Sequence, residues 1–94
     1  MDVSFRDFIW DSEKELANIR KHGVDFATAS LAFLDTHRRT FKDSKHSAVE
    51  SRFFCIGMAD GKVITVRYMI RHGKIRIIGA GYWGKGAVLY EKKG

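Results

Sequence analysis

Residues 50–80 read ESRFFCIGMADGKVITVRYMIRHGKIRIIGA, and this stretch decides the fold. It is rich in Phe, Ile, Val and Tyr, which suit a half-buried pleated surface. Two turn sequences interrupt it. Asp60-Gly61 is typical of a type I′ hairpin turn, whose two central residues need a positive φ, and His72-Gly73 is a weaker signal of the same kind. We therefore predict an antiparallel meander of three strands with an apolar face that needs a cover.

Each of these predicted strands carries an arginine. Because side chains alternate along a strand, Arg52 shares a face of the first strand with Phe54 and Ile56. Arg67 and Arg76 lie on the second and third strands. Whether all three arginines share one face of the sheet depends on the strand register, which the sequence leaves open.

The N-terminal part of the chain is predicted to supply the cover. Residues 5–10 read as a short strand. Ser12 and Glu15 have the spacing of a capping box, and Gly23 suits the left-handed residue that follows a helix. These signals predict a first helix over residues 12–22. Within the first helix, Leu16 and Ile19 form a narrow apolar stripe.

A second helix is predicted to follow at once. Asp25 is a candidate N-cap for the second helix, which is expected to end near Asp35. Two helices so close along the chain should form an angled pair on one face of the sheet.

The remaining segments carry weaker patterns. Residues 36–41 are compatible with a strand, and residues 42–49 read as an exposed loop. Residues 87–92 predict a short C-terminal helix, because glycine at positions 84 and 86 disfavours an earlier start by up to about 1 kcal/mol each. The prediction is a single α+β domain over residues 1–94.

Composition limits the cellular context and the partners. The net charge of +6 points to a polyanionic partner, either a nucleic acid or an acidic protein. The single cysteine, Cys55, cannot form an internal disulfide, and no secretory signal is visible, so we expect a cytoplasmic protein. No apolar run approaches the roughly 18 residues of a membrane span, and no zinc-ligand spacing occurs.

Several stretches together resemble the BrnT family of bacterial type II toxins. Residues 8–35 resemble the opening of that family, with W-D, N-x-x-K-H-G-V and F-x-x-A in order. The segments ESRFFCIG, DGKVITVRY and KIRIIGA resemble its three consecutive strands, and LYE resembles its C-terminal signature. The resemblance covers nearly the whole chain.

The resemblance implies a fold, an activity and partners. It implies a RelE/ParE-like domain with two N-terminal helices over an antiparallel meander and a short C-terminal helix. It also implies a metal-independent endoribonuclease without a cofactor, which cleaves RNA and slows translation and growth. The implied partner is a BrnA-type antitoxin with a ribbon-helix-helix part, through which the complex binds operator DNA and represses its operon.

One departure from the family pattern concerns the segment after the last strand. Many members carry a run of arginines or lysines there, whereas residues 81–88 read GYWGKGAV and keep only Lys85 as a cation. Either the chain belongs to a subgroup that uses Tyr82, Trp83 and Lys85 instead, or its activity is weakened or lost.

The candidate site residues follow from the chemistry of RNA cleavage. The 2′-hydroxyl must lose a proton, an anionic phosphorane must be stabilised, and the departing 5′-oxygen must be protonated. Arginine suits the charge, and histidine suits proton transfer. The catalytic candidates are His22, Arg52, Arg76, Tyr82 and Lys85, and the RNA-binding candidates are Lys21, Arg67 and Trp83.

Each candidate also has a structural interpretation. His22 is placed to cap the end of the first helix, the arginines and Lys85 are ordinary solvated residues, and Tyr82 and Trp83 pin the tail to the core or meet a partner. Three functions therefore stay open: an endoribonuclease, a non-catalytic module that binds an antitoxin and takes part in operon autoregulation, and a sequence-independent RNA-binding protein.

Overall fold

A six-stranded sheet organises the chain, with its strands in the order β1-β2-β6-β5-β4-β3. The computed structural model describes residues 1–92. The strands are β1 (Asp2–Phe5), β2 (Phe8–Asp11), β3 (Arg39–Lys42), β4 (Phe53–Ala59), β5 (Lys62–Arg71) and β6 (Lys74–Gly81). The helices are α1 (Ser12–His22), α2 (Phe26–Ser30) and α3 (Gly84–Glu91), with 3₁₀ turns at Leu31–Leu34 and Ser44–His46. The predicted mixed α+β class is confirmed.

The predicted meander is confirmed as strands β4, β5 and β6. Both of its turns have a positive φ at their two central residues: 51° and 78° at Asp60 and Gly61, and 50° and 75° at His72 and Gly73. This is the backbone that a type I′ turn requires. The two hairpins fix the register, so that β4 pairs with β5 from Phe53↔Tyr68 to Ala59↔Lys62.

The prediction of a single strand over residues 5–10 is wrong. The chain forms a hairpin instead, in which β1 pairs antiparallel with β2 across a turn where Arg6 has a φ of 56°. The turn contains no glycine, so the sequence carried no signal for it. Strand β2 then lies parallel to β6, with Phe8 opposite Ile75, and this pairing makes the sheet mixed.

The first helix has its predicted bounds, but its cap differs. The side chain of Asp11, not Ser12, accepts the backbone N–H of Lys14 at 3.1 Å, and Gly23 is left-handed as expected. The carboxylate of Glu15 binds other groups than the helix cap. It accepts the indole N–H of Trp10 at 3.1 Å and the backbone N–H of Phe26 at 2.9 Å. The second helix ends earlier than predicted, at Ser30, and continues as a 3₁₀ turn.

The core lies between the sheet and the two N-terminal helices. It includes Trp10, Phe26, Ile64, Val66 and Ile77. The predicted apolar stripe of the first helix is wrong, since Leu16 and Ile19 are 54% and 39% exposed.

Helix α1 is anchored instead by a buried amide. Asn18 donates to the carbonyls of Val24 and Ala80 at 3.0 Å each, and accepts the N–H of Ala80 at 3.1 Å. A polar anchor of this kind leaves no apolar period in the sequence, which explains why the stripe was misplaced.

Helix α3 lies on the opposite face of the sheet and begins three residues earlier than predicted. It packs over Thr65, which points away from Ile64 and Val66, and a Cβ on Gly86 would collide with the Thr65 hydroxyl. Glycine therefore permits the close approach of helix and sheet, which outweighs its low helix propensity. The guanidinium of Arg39 donates to the carbonyl of Leu89 at 2.9 Å, and the Tyr90 hydroxyl donates to Asp35.

No helix within residues 1–92 is long and apolar enough to cross a membrane.

Substitutions at the two glycines of α3 should have opposite effects on stability. Gly86→Ala should lower the free energy of unfolding by about 1–2 kcal/mol, because overpacking against Thr65 exceeds the gain in helix propensity. Gly84→Ala is the matched control: a Cβ there meets no atom within 4 Å, so stability should rise by up to about 1 kcal/mol. Urea titration measures the free energy of unfolding of both variants. Equal effects of the two substitutions would contradict the close packing of Gly86 against Thr65.

The attachment of α3 to the rest of the fold should weaken at low pH. The hydroxyl of Tyr90 and the backbone N–H of Met58 lower the pKa of Asp35 from its ordinary value of 3.8. A carboxylate with a lowered pKa stabilises the fold above its ordinary pKa, and this stability is lost as pH falls through the folded-state pKa. Tyr90→Phe should therefore lower stability at neutral pH and weaken its loss on acidification, as measured by urea titrations from about pH 2 to about pH 6. Tyr82→Phe is the control and should leave that acid dependence unchanged.

Candidate nucleic-acid interface

The three arginines of the meander lie on the face of the sheet that carries α3. In the register, Arg67 stands between Phe54 of β4 and Gly79 of β6, and Arg76 stands opposite Met69. Arg52 precedes Phe54 by two residues, so its side chain leaves the chain on the same side. The question that the sequence left open is answered: the arginines share one face.

A β-bulge in β6 decides which residue lies opposite Arg67. Between Arg67↔Gly79 and Tyr68↔Ile77 the register shifts, and Ile78 has no partner on β5. Without the extra residue, Gly79 and Arg76, three positions apart, would point to opposite faces. The bulge therefore places Gly79, instead of Ile78, opposite Arg67. Arg67 and Arg76 share this face in either register, because Arg67 lies two residues from Met69, the partner of Arg76.

Arg67 occupies the middle of this face. Its guanidinium lies directly over Gly79, where an added Cβ would come within 2.9 Å of a terminal nitrogen. Its Nε is buried and has no hydrogen-bond partner among residues 1–92. A buried, unpartnered donor of a charged group is costly, and an anion that enters from solvent would satisfy it.

Trp83 and His22 lie beside Arg67, one step along β6. The indole of Trp83 covers Gly81. Gly81 lies two residues beyond Gly79 on the same face of β6, so the two glycines are about 7 Å apart. The imidazole of His22 meets the indole edge-on, with ring centroids 5.1 Å apart. The end of α1 and the start of α3 therefore meet at this point, with Lys21 exposed next to His22.

Carboxylates already neutralise part of the basic face. Asp2 accepts two hydrogen bonds from Arg76, at 2.9 and 3.3 Å, and Glu50 forms a two-point pair with Arg71, at 2.8 and 3.0 Å. The hydrogen bonds from Arg71 lower the pKa of Glu50, and the charges of Arg52 and Arg76 act in the same direction. Arg71 and Arg76 are also neighbours on this face, because Arg71 pairs with Lys74 and Met69 pairs with Arg76 on the adjacent strand.

One catalytic candidate, Tyr82, lies far from Arg76. The ring of Tyr82 lies 5.1 Å from the ammonium nitrogen of Lys62, at the start of β5. Arg76 pairs with Met69, seven residues further along that strand, so Tyr82 is roughly 20 Å from it. His46, in the loop between β3 and β4, has its Nδ1 2.9 Å from a carboxylate oxygen of Asp43.

A cleft separates the start of α3 from strands β3 and β4. It encloses about 470 Å³ and holds Lys85 at its wall. Its lining residues are Phe41, Lys42, Phe54, Ile56, Thr65, Trp83, Lys85, Gly86 and Leu89. Sequence reasoning did not single out Phe54 or Thr65, although strand alternation placed Phe54 on the face of Arg52.

The chemical resources of this face are cations and aromatic rings. Guanidinium groups can bind phosphate oxygens at two points, and an imidazole such as that of His22 can take or give a proton. Within residues 1–92, no group of three or more His, Cys, Asp and Glu side chains is placed to hold a metal ion.

The family comparison agrees with a basic face suited to RNA. The class is that of ribonuclease toxins from type II toxin–antitoxin systems, whose members act on RNA and pair with an antitoxin. The chain belongs to the BrnT family of this class, because the family described as "Ribonuclease toxin, BrnT, of type II toxin-antitoxin system" matches residues 10–86 of the 94. A comparison with curated proteins found no match.

Proposed function

We propose that this chain is a metal-independent endoribonuclease that cleaves RNA and thereby inhibits translation and growth. The observation that carries the proposal is the position of Arg67 on the face that also carries Arg52, Arg76 and Trp83. Its Nε is buried and has no hydrogen-bond partner in the described part of the chain. A cation held in this way is suited to an incoming phosphate. Membership of a ribonuclease toxin family supports the same reaction.

In the proposed mechanism, the RNA backbone runs along β6. Arg67 binds the non-bridging oxygens of the scissile phosphate and stabilises the charge of the phosphorane, and Arg52 and Arg76 bind the adjacent backbone. His22 takes the proton of the 2′-hydroxyl, and the ammonium group of Lys85 gives a proton to the departing 5′-oxygen. Tyr82, whose ring lies beside Lys62, takes the role of Lys85 only if its side chain turns toward Arg67.

The proposal extends to the fold type and the partner. We propose a single RelE/ParE-like domain, which is supported by α1 and α2 on one face of the sheet and α3 on the other. The proposed partner is a BrnA-type ribbon-helix-helix antitoxin, which links the toxin to operator DNA. The net charge of +6 suits an acidic antitoxin segment, and the single free cysteine suits the cytoplasm.

Replacement of Arg67 by alanine tests the proposed ribonuclease activity. Arg67→Ala should slow cleavage of a defined RNA by about 100-fold or more in the presence of a metal chelator, because one group that stabilises the transition state is lost. Arg76→Ala should slow it as well. Lys14→Ala removes one exposed charge from α1 and is the control, which should cleave at the wild-type rate. If the pure, folded, antitoxin-free wild-type protein cleaves no RNA, the enzyme proposal is wrong.

A specific observation favours a second function. Arg71 and Arg76 are already paired with Glu50 and Asp2, and Lys85 is the only cation in the first turn of α3. A face neutralised to this extent suits a non-catalytic module that binds an antitoxin and takes part in operon autoregulation.

Expression in bacteria distinguishes the two functions. A ribonuclease toxin produced alone should arrest growth, and Arg67→Ala should restore it. A non-catalytic module should leave growth unchanged while still copurifying with the protein encoded next to it. The comparison is valid only when an immunoblot shows equal amounts of soluble wild-type and variant protein.

A further inference from the structure

We propose that the cleft between α3 and strands β3 and β4 binds one unpaired nucleobase of the RNA, and that Thr65 is the residue that discriminates between bases. This inference rests on the proposed ribonuclease function, which it deepens by assigning a base-specificity site. The phosphate groups would lie on Arg67, and one base beside the scissile bond would enter the cleft.

The shape and lining of the cleft suit a flat aromatic ring. Its volume of about 470 Å³ is within the range of roughly 300–1,000 Å³ of small-molecule sites. Phe41, Phe54 and Trp83 line it, and Ile56 and Leu89 complete its apolar surface. Proteins that read single-stranded RNA stack unpaired bases on aromatic side chains of this kind.

The position of Arg67 connects the cleft to the RNA backbone. Arg67 pairs with Phe54, a lining residue, on one side and with Gly79 on the other. The guanidinium lies over Gly79, so a phosphate bound to it lies about 7 Å, or two residues along β6, from Gly81, which is covered by the cleft residue Trp83. Lys42 and Lys85 add positive charge at its wall, so a nucleotide can place its base inside and its phosphate on the basic face.

Thr65 supplies a polar group without a partner. It is 7% exposed, and its hydroxyl oxygen has no hydrogen-bond partner among residues 1–92. A hydroxyl can donate and accept, so it can distinguish bases by the groups on their edges. An unpartnered buried hydroxyl destabilises the free protein, and a base that pairs with it recovers that free energy.

The start of α3 can give way to admit the base edge. Gly86 covers the Thr65 hydroxyl and carries no side chain. The N-cap residue of α3, Trp83, makes no side-chain capping bond, whereas Arg39 and Tyr90 hold the C-terminal half of the helix. An outward shift of the first turn therefore exposes Thr65 without detaching the helix.

An apolar side chain of an antitoxin is the competing occupant. It would fill the cleft but leave the Thr65 hydroxyl unpartnered, and it would bring no charge to Lys42 and Lys85. A nucleotide satisfies all three groups, so we favour RNA.

Nucleotide titration tests the cleft without any need for cleavage. The probes are the four nucleoside 5′-monophosphates and ribose 5-phosphate, and the signal is the indole N–H resonance of Trp83 in the whole protein. The indole of Trp10 is an internal control, because it is buried and bonded to Glu15 at 3.1 Å. We expect the nucleotides, but not ribose 5-phosphate, to shift Trp83 and to bind with different affinities.

Two variants separate stacking from discrimination. Thr65→Val keeps the shape, and it should reduce the affinity difference between the best and worst base by about two- to tenfold while leaving stability unchanged or raised. Thr40→Val makes the same chemical change on the opposite face of β3 and should alter neither. Phe54→Leu should weaken all four nucleotides by roughly tenfold.

The outcomes of this test are distinct. If ribose 5-phosphate shifts Trp83 as strongly as the nucleotides do, the face binds phosphate only and the base site is wrong. If no nucleotide shifts Trp83 but a stoichiometric antitoxin does, the cleft belongs to the protein partner. If nucleotides bind as expected while the pure protein cleaves no RNA, the base site stands and the ribonuclease proposal fails.

Discussion

The register of β4, β5 and β6 is the constraint on which the rest of the structure depends. Two tight turns with positive φ at both central residues fix it, and a slip by one residue would exchange the two faces of the meander. The core residues Ile64 and Val66 would then point to α3, and Arg67 would point into the core. Core formation and the presentation of the arginines are therefore decided by the same hydrogen-bond pattern.

Local chemistry made much of the fold predictable. The turn at Asp60-Gly61 and the glycine after α1 each satisfy a backbone requirement that a sequence displays directly. The elements that escaped prediction depend on distant contacts. Asn18 anchors α1 through Ala80, which is 62 positions away, and the helix start at Gly84 depends on Thr65 lying beneath Gly86. No local pattern encodes such contacts.

The candidate site divides in the same way. Strand alternation linked Arg52 to Phe54, and both lie on the basic face. It could not place Gly79 opposite Arg67, because the bulge at Ile78 shifts the count along β6. The pairing of Arg76 with Asp2 spans nearly the whole chain, and the separation of Tyr82 from Arg76 follows from the length of β5. Residue types suggested the chemistry, and the topology decided which of them meet.

The glycines of this chain differ in what they protect, and this has an evolutionary consequence. At Gly57 a side chain would collide with the backbone oxygen of Ala32, so replacement there threatens folding itself. At Gly79 the nearest atoms it would meet all belong to the movable end of Arg67. A gene for a toxin can therefore be attenuated at Gly79 by small steps, since each larger residue displaces the guanidinium further without a collision with the backbone of the kind found at Gly57.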